Sequence, residues 1–159
     1  TLNDCLSEYT AQLEKGLIRQ AYRGIMDFML RLRTDLASRY PDYTVSGLYQ
    51  GTMDMTYFAF TPAALKNRQL KIAIVYLHEQ GRFEAWLGGA NRKVQAEFIE
   101  RFTGRDTGGF RLSRVSLGVD SILEDLLAEQ PDFDHPAQLA AHIENRTQAF
   151  IRGVESLLK

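Results

Sequence analysis

Residues 69–89, QLKIAIVYLHEQGRFEAWLGG, carry the feature that most limits what this chain can fold into. Two apolar runs, rich in β-branched and aromatic residues, are joined by a link containing Gln80-Gly81, which is the pattern of a β-hairpin. With Gln80-Gly81 as a two-residue loop, Glu79 pairs with Arg82, Leu77 with Glu84 and Val75 with Trp86. Side chains alternate between the faces of a strand, so Ile72, Ile74, Tyr76 and His78 share the other face with Phe83, Ala85 and Leu87. That face is the core.

A second hairpin is expected just before it, from YTVSGLYQ (43–50) and MDMTYFAF (53–60). Parity puts Ser46, Leu48, Met53, Met55, Tyr57 and Ala59 on one face, and Val45, Gly47, Tyr49, Asp54, Thr56, Phe58 and Phe60 on the other. A slip of one residue would reverse every one of them. If the four strands form a meander, the less apolar face gathers Tyr49, Asp54, Glu79, Arg82 and Glu84 at one end. Thr56, Val75 and Trp86 follow, then Phe58, Ala73 and Phe60. Asp54 and Glu84 would stand roughly 10 Å apart, two strand spacings of about 4.8 Å.

Helices surround this centre. NDCLSEYTAQLEK opens the chain as a short amphipathic helix capped by Asn3 or Asp4, and Gly16 breaks it. A longer helix spans 17–40, stopped by Pro41, with Ile18, Ala21, Tyr22, Ile25, Phe28, Met29, Leu32 and Leu36 on one stripe. Arg19, Arg23, Asp27, Arg31, Asp35 and Arg39 run along its other side with alternating signs from Arg23 on, which reads as a solvated face. TPAALKNR (61–68) is one helical turn capped by Thr61, and Asn91 caps a helix over 92–102. A fifth strand is expected at 110–117 and helices at 120–129 and 135–158, the last capped by Asp134. The chain is therefore expected to be a single α+β domain over 1–159, with a four- or five-stranded, mainly antiparallel sheet packed by N- and C-terminal helices.

Composition narrows the function. Nineteen basic residues against twenty acidic ones leave a formal charge of −1, which argues against nucleic acid as the main partner. The single cysteine, Cys5, excludes an internal disulfide and a thiolate metal cluster. No run approaches the ~18 apolar residues of a membrane span, and the expectation is a cytoplasmic protein without a membrane partner.

The sequence implies no cofactor, no metal site and no catalytic signature. The expected ligand surface is the sheet face bearing Tyr49, Asp54, Thr56, Arg82, Glu84 and Trp86, with polar groups at the rim and an apolar floor. The competing structural explanation is that Arg82 pairs with Glu79 or Glu84 while Asp54 binds Tyr49 or a turn amide. As an enzyme, the chain would be a divalent-metal-dependent, nuclease-like hydrolase using Asp54 and Glu84. The Glu-x-Lys of restriction-endonuclease-like sites is broken here, because EAW puts Trp86 where the lysine belongs. GGANRK (88–93), with Arg92, Lys93 and nearby Lys71, forms a second candidate that suits an anion at a helix start. A third reading is a scaffold whose helices recruit a partner protein. His78 is expected in the core, and His135 and His142 lack a third ligand.

YPDYTVSGLYQGTMDMTYFAFTP (40–62), LKIAIVYLHEQGRFEAWLGG (70–89) and QAYRGIMDFM (20–29) together resemble a small bacterial family of uncharacterised single-domain proteins. The resemblance extends over nearly the whole chain. It carries no assigned activity and implies no catalytic residues.

Overall fold

A computed structural model describes residues 1–115 and 120–159. In chain order the elements are α1 (Leu2–Lys15), α2 (Leu17–Arg39), β1 (Thr44–Val45), β2 (Met55–Thr61), α3 (Ala63–Lys66), β3 (Leu70–Leu77), β4 (Arg82–Gly89), α4 (Arg92–Phe102), β5 (Arg111–Leu112), β6 (Ser121–Ala128) and α5 (Pro136–Leu157). The strands form an open sheet in the order β1-β2-β3-β4-β6-β5, antiparallel at each pairing. The fold is α+β with helices at both ends, and among the described residues the sheet has six strands rather than four or five.

One face of this sheet carries the core. Phe58, Phe60, Ile72, Ile74, Phe83, Ala85 and Leu87 are all fully buried there. Met29, Leu32 and Leu36 of α2 and Ile143, Phe150 and Val154 of α5 belong to the same apolar cluster. Each helix contributes one stripe at three- and four-residue steps, as a helix packed on a sheet must. The charged row of α2 faces water: Arg31 and Asp35 meet at 3.7 Å with Arg31 84% exposed, a pairing that adds little stability. Arg39 leaves that row to bind Glu144 on α5, which also accepts a 2.9 Å hydrogen bond from the Tyr40 hydroxyl.

The β3–β4 hairpin keeps the expected faces although its register differs. Leu77 pairs with Arg82 and Val75 with Glu84, so the loop is four residues long, with Gly81 at φ 64°. An offset of two residues preserves parity. The first hairpin behaves differently. Val45 pairs with Phe60 on the core face, yet Tyr49 pairs with Tyr57 on the opposite one. Four residues on one side match three on the other, and the chain then loops through Gly51 (φ 73°) and Met53 (φ 66°). The expected strand 43–50 is thus reduced to two paired residues and one isolated bridge.

Three other expectations are corrected. The segment at 120–129 is strand β6, not a helix. Its register against β4 shifts between Phe83 and Glu84 and again between Leu87 and Gly88. Such bulges break strict alternation and leave the apolar pairs Ile122-Leu123 and Leu126-Leu127 four residues apart, which imitates helical periodicity. Asp134 does not cap α5: His135 occupies the cap position, and its ring binds Asp132 at 2.7 Å. Thr61 is likewise no cap, since its hydroxyl accepts from the Ile72 amide at 3.1 Å between β2 and β3. Of the expected strand 110–117, Arg111 and Leu112 are paired, while 116 and 117 lie outside the described residues.

Candidate functional site

Alternation leaves the second face of the sheet with its own rows of side chains. Tyr49, Tyr57, Val75, Glu84 and Leu126 stand side by side across five chain segments. The next row holds Ala59, Ala73, Trp86, Glu124 and Arg111. Hydrogen bonds and ion pairs among these side chains join strands and flanking loops, not α2 or α5. Tyr49, Arg82, Glu84 and Trp86 therefore share a face, as expected.

Asp54 and Thr56 do not join them. Thr56 pairs with Tyr76 and Phe58 with Ile74, so the even-numbered positions of β2 point to the core. Two phenylalanines without exposed surface outweigh one threonine and one aspartate in deciding which face goes inward. Asp54 sits in the turn before β2, where its carboxylate accepts the Thr52 amide at 2.9 Å. Backbone hydrogen bonds from Thr52 and Met55 hold its pKa below the usual carboxylate value, with the neighbouring His78 a smaller contribution. The turn amide of the structural explanation is what the carboxylate binds. Asp54 is thus held by this turn, whereas Glu84 is bound by Arg82, Trp86 and Arg111. Among the described residues, no group of three or more His, Cys, Asp or Glu side chains could hold a metal ion.

Thr56 and His78 meet instead, with Oγ1 and Nε2 2.8 Å apart, beside Tyr22, whose ring stacks on the imidazole at 5.9 Å. Thr56 also donates to the Gln50 carbonyl at 2.6 Å. That carbonyl can only accept, so the threonine proton is committed and Nε2 must donate. His78 is thus not placed to draw a proton from Thr56. Burial depresses its pKa, partly opposed by Asp54.

Glu84 is the electrostatic centre of the open face and is 1% exposed. Arg82 binds one carboxylate oxygen through Nε at 2.8 Å and Nη2 at 2.7 Å. Trp86 Nε1 and Arg111 Nη2 each donate to the other at 2.9 Å. Arg111 continues to Glu124, which accepts from Ser121 at 2.7 Å. The pairing of Arg82 with Glu84 is one that the structural explanation allowed. Its consequence is that Trp86 is anchored by the nitrogen edge of its indole.

Beside the indole lies a hollow of about 250 Å³. Ala73 and Val75 form its floor, Met55, Tyr57 and Trp86 its apolar wall, and Lys71, Arg92 and Asp120 its polar end. Gly88 permits this end: a Cβ there would meet Lys71 Cε at 3.1 Å and the Asp120 carbonyl at 3.3 Å. Gly89 permits α4 to approach, since a Cβ would stand 2.7 Å from the Gln95 amide nitrogen. Asn91 caps that helix as expected, accepting from the Val94 amide at 2.9 Å. Lys71 is paired with Asp120. Arg92 makes no ion pair or hydrogen bond with the described residues, so the polar end carries a net positive charge. The two candidates of the sequence, the Trp86 face and the basic GGANRK turn, border one hollow.

Sequence reasoning missed Tyr57, Met55 and Arg111. The first two were available from the burial of Phe58 and Phe60, which forces the odd-numbered positions of β2 outward. Arg111 was not, because it reaches Glu84 only once β6 is recognised as a strand.

The fold and hollow define a helix-backed antiparallel sheet with one open, aromatic-lined face. Residues 2–158 match the family described as a domain of unknown function, DUF7000, and the chain belongs to that family. No curated protein and no solved structure matches it. No helix among the described residues is long and apolar enough to cross a membrane.

Proposed function

We propose that the chain is a binding protein for a small molecule that joins a flat apolar body to an anionic group. The observation carrying this reading is the hollow itself: an apolar floor, an anchored indole on one side and an unpaired guanidinium at one end. Pockets of this kind combine an apolar lining with a few placed polar groups. A planar ligand would lie along Trp86 and Tyr57, where ring contacts add about 0.5–1.5 kcal/mol beyond area burial. Its anionic end would meet Arg92, with Lys71 exchanging between it and Asp120.

Trp86 is the only tryptophan in the chain, so its emission reports on the site without interference. Titration with a panel of small aromatic carboxylates is expected to give a saturable change in that emission. Arg92→Ala should weaken the binding about tenfold, the equivalent of one charge-assisted contact of about 1.4 kcal/mol. A wild-type protein whose emission responds to no member of the panel would sink the proposal. So would an affinity that Arg92→Ala leaves unchanged.

A further inference from the structure

α1 is anomalous among the long helices: fourteen residues, amphipathic, and none of them buried. Leu2, Leu6 and Tyr9 are 73%, 48% and 56% exposed, and with Leu13 they form one stripe at four-, three- and four-residue steps. The charges of α1, on Asp4, Glu8, Glu14 and Lys15, lie more than about 90° around the helix from that stripe. Uncharged Asn3, Thr10 and Gln12 flank it. A capping box at Thr1 and Asp4 supports the first turn. Isolated helices shorter than about 12–15 residues are nevertheless marginal in water, and such a face is normally held by packing.

The chain also presents a groove of about 1,050 Å³ between α2 and the start of α5. Ile25, Phe28 and Leu32 line one wall, and Phe133, Ala137 and Ala140 the other. Its rim includes Asp27, Arg31, Asp35 and Asp134, a net acidic border that the uncharged flanks of α1 can approach without repulsion. The α2 residues along it run from Leu17 to Asp35, about 27 Å of helix, enough to seat the roughly 21 Å of α1.

We infer that this groove receives α1 of a second copy of the chain, and that two copies exchange these helices across a two-fold axis. A reciprocal exchange of this kind is a low-cost route to a dimer. One flank of a cylinder about 21 Å long and 10 Å across is about 330 Å², so two helices and the two walls they cover remove about 1,300 Å² from water, within the range of stable interfaces. Gly16, at φ 77°, sets the angle at which α1 leaves α2 and is the pivot of the exchange.

The test is the molar mass of the full chain in solution, by light scattering across a concentration series. The expected wild-type mass is twice the 18.1 kDa of one chain. Leu6→Glu on the stripe and Ala137→Glu in the groove are both expected to give the single-chain mass with far-UV circular dichroism still that of a folded protein. Ala137 is exposed in the first turn of α5, where an added carboxylate suits the helix N-terminus. Ala21→Glu, exposed on the opposite wall, serves the same purpose should Ala137→Glu fail to fold. A single-chain mass for the wild type at 100 µM or above would overturn the inference. A doubled mass retained in Leu6→Glu, or in the folded groove variant, would overturn it too, because the contact would then lie elsewhere.

Discussion

Replacing Glu84 tests the organisation of the open face most directly. Its two oxygens accept three N–H groups, one each from Arg82, Arg111 and Trp86, with a second Arg82 nitrogen in ion-pair contact, while the residue is 1% exposed. Removing one partner of a fully buried ion pair costs about 3–5 kcal/mol, because the other charge is stranded. Here the arginine side chains are 32% and 57% exposed, so water can take over much of their hydration. Each pairing therefore falls towards the surface range of about 0.2–1 kcal/mol. The Trp86 N–H loses a charged acceptor, worth about 1.5–3 kcal/mol, and the one methylene that alanine lacks takes away about 0.8 kcal/mol of burial. Glu84→Ala should thus destabilise by about 3–6 kcal/mol, and Glu84→Gln, which keeps the volume and one acceptor, by about 1–2 kcal/mol. For a chain of 159 residues, the alanine loss corresponds to a fall in Tm of roughly 6–24 °C. Urea unfolding followed by circular dichroism gives the free energies, and Trp86 anisotropy reads the release of the indole. An alanine variant within about 0.5 kcal/mol of wild type, with unchanged anisotropy, would refute the reasoning, since 0.5 kcal/mol is the scale of an ordinary surface substitution.

Two further outcomes follow from other parts of the molecule. The pKa of His78 is depressed below 6.5 by burial, so the unfolded chain binds the extra proton first, and its stabilising contribution is full above pH 6.5 and lost as pH falls through the folded pKa. An NMR titration midpoint at or above 6.5 would contradict this, as would a urea midpoint for the wild type that does not respond to His78→Gln in its fall between pH 7 and 5. Gly89→Ala should cost about 1–3 kcal/mol in chemical denaturation, because its Cβ meets backbone atoms of Asn91 and Gln95 at 3.1 Å or less. Gly88→Ala should cost less, since the nearest atom belongs to the flexible Lys71 side chain.

How much of this was legible beforehand depended on whether local pattern alone decides the element. The stripe of α2 from Phe28 to Leu36 and its stop before Pro41, the Asn91 cap and the two faces of β3–β4 are local, and they stand where the sequence indicates, although Ile18 and Ala21 at the start of that stripe are exposed. The β3–β4 faces survived a wrong loop length because the error was even. The facing of β2 against β3 depended on a longer connection through α3, which parity cannot cross; only the bulk of Phe58 and Phe60 decides it. β6 was hidden by its two bulges and its leucines, a local preference overruled by the free edge of β4. At the candidate site, Arg82, Glu84 and Trp86 were readable from alternation, whereas Tyr49 reaches their face only through the irregular pairing after Val45, and Asp54 was drawn away by turn amides two residues before it and one after.

The outermost strands of the sheet, β1 and β5, are two residues each. A sheet grows by offering a row of unpaired amides and carbonyls at its border, and two residues make a poor template. Such short borders offer little backbone to an incoming strand, which favours association through side chains, on the helices or on the open face. They cover only part of their neighbours: β5 pairs with Leu123 and Glu124 of the eight-residue β6, and the Arg146 guanidinium donates to the Leu126 carbonyl further along that edge.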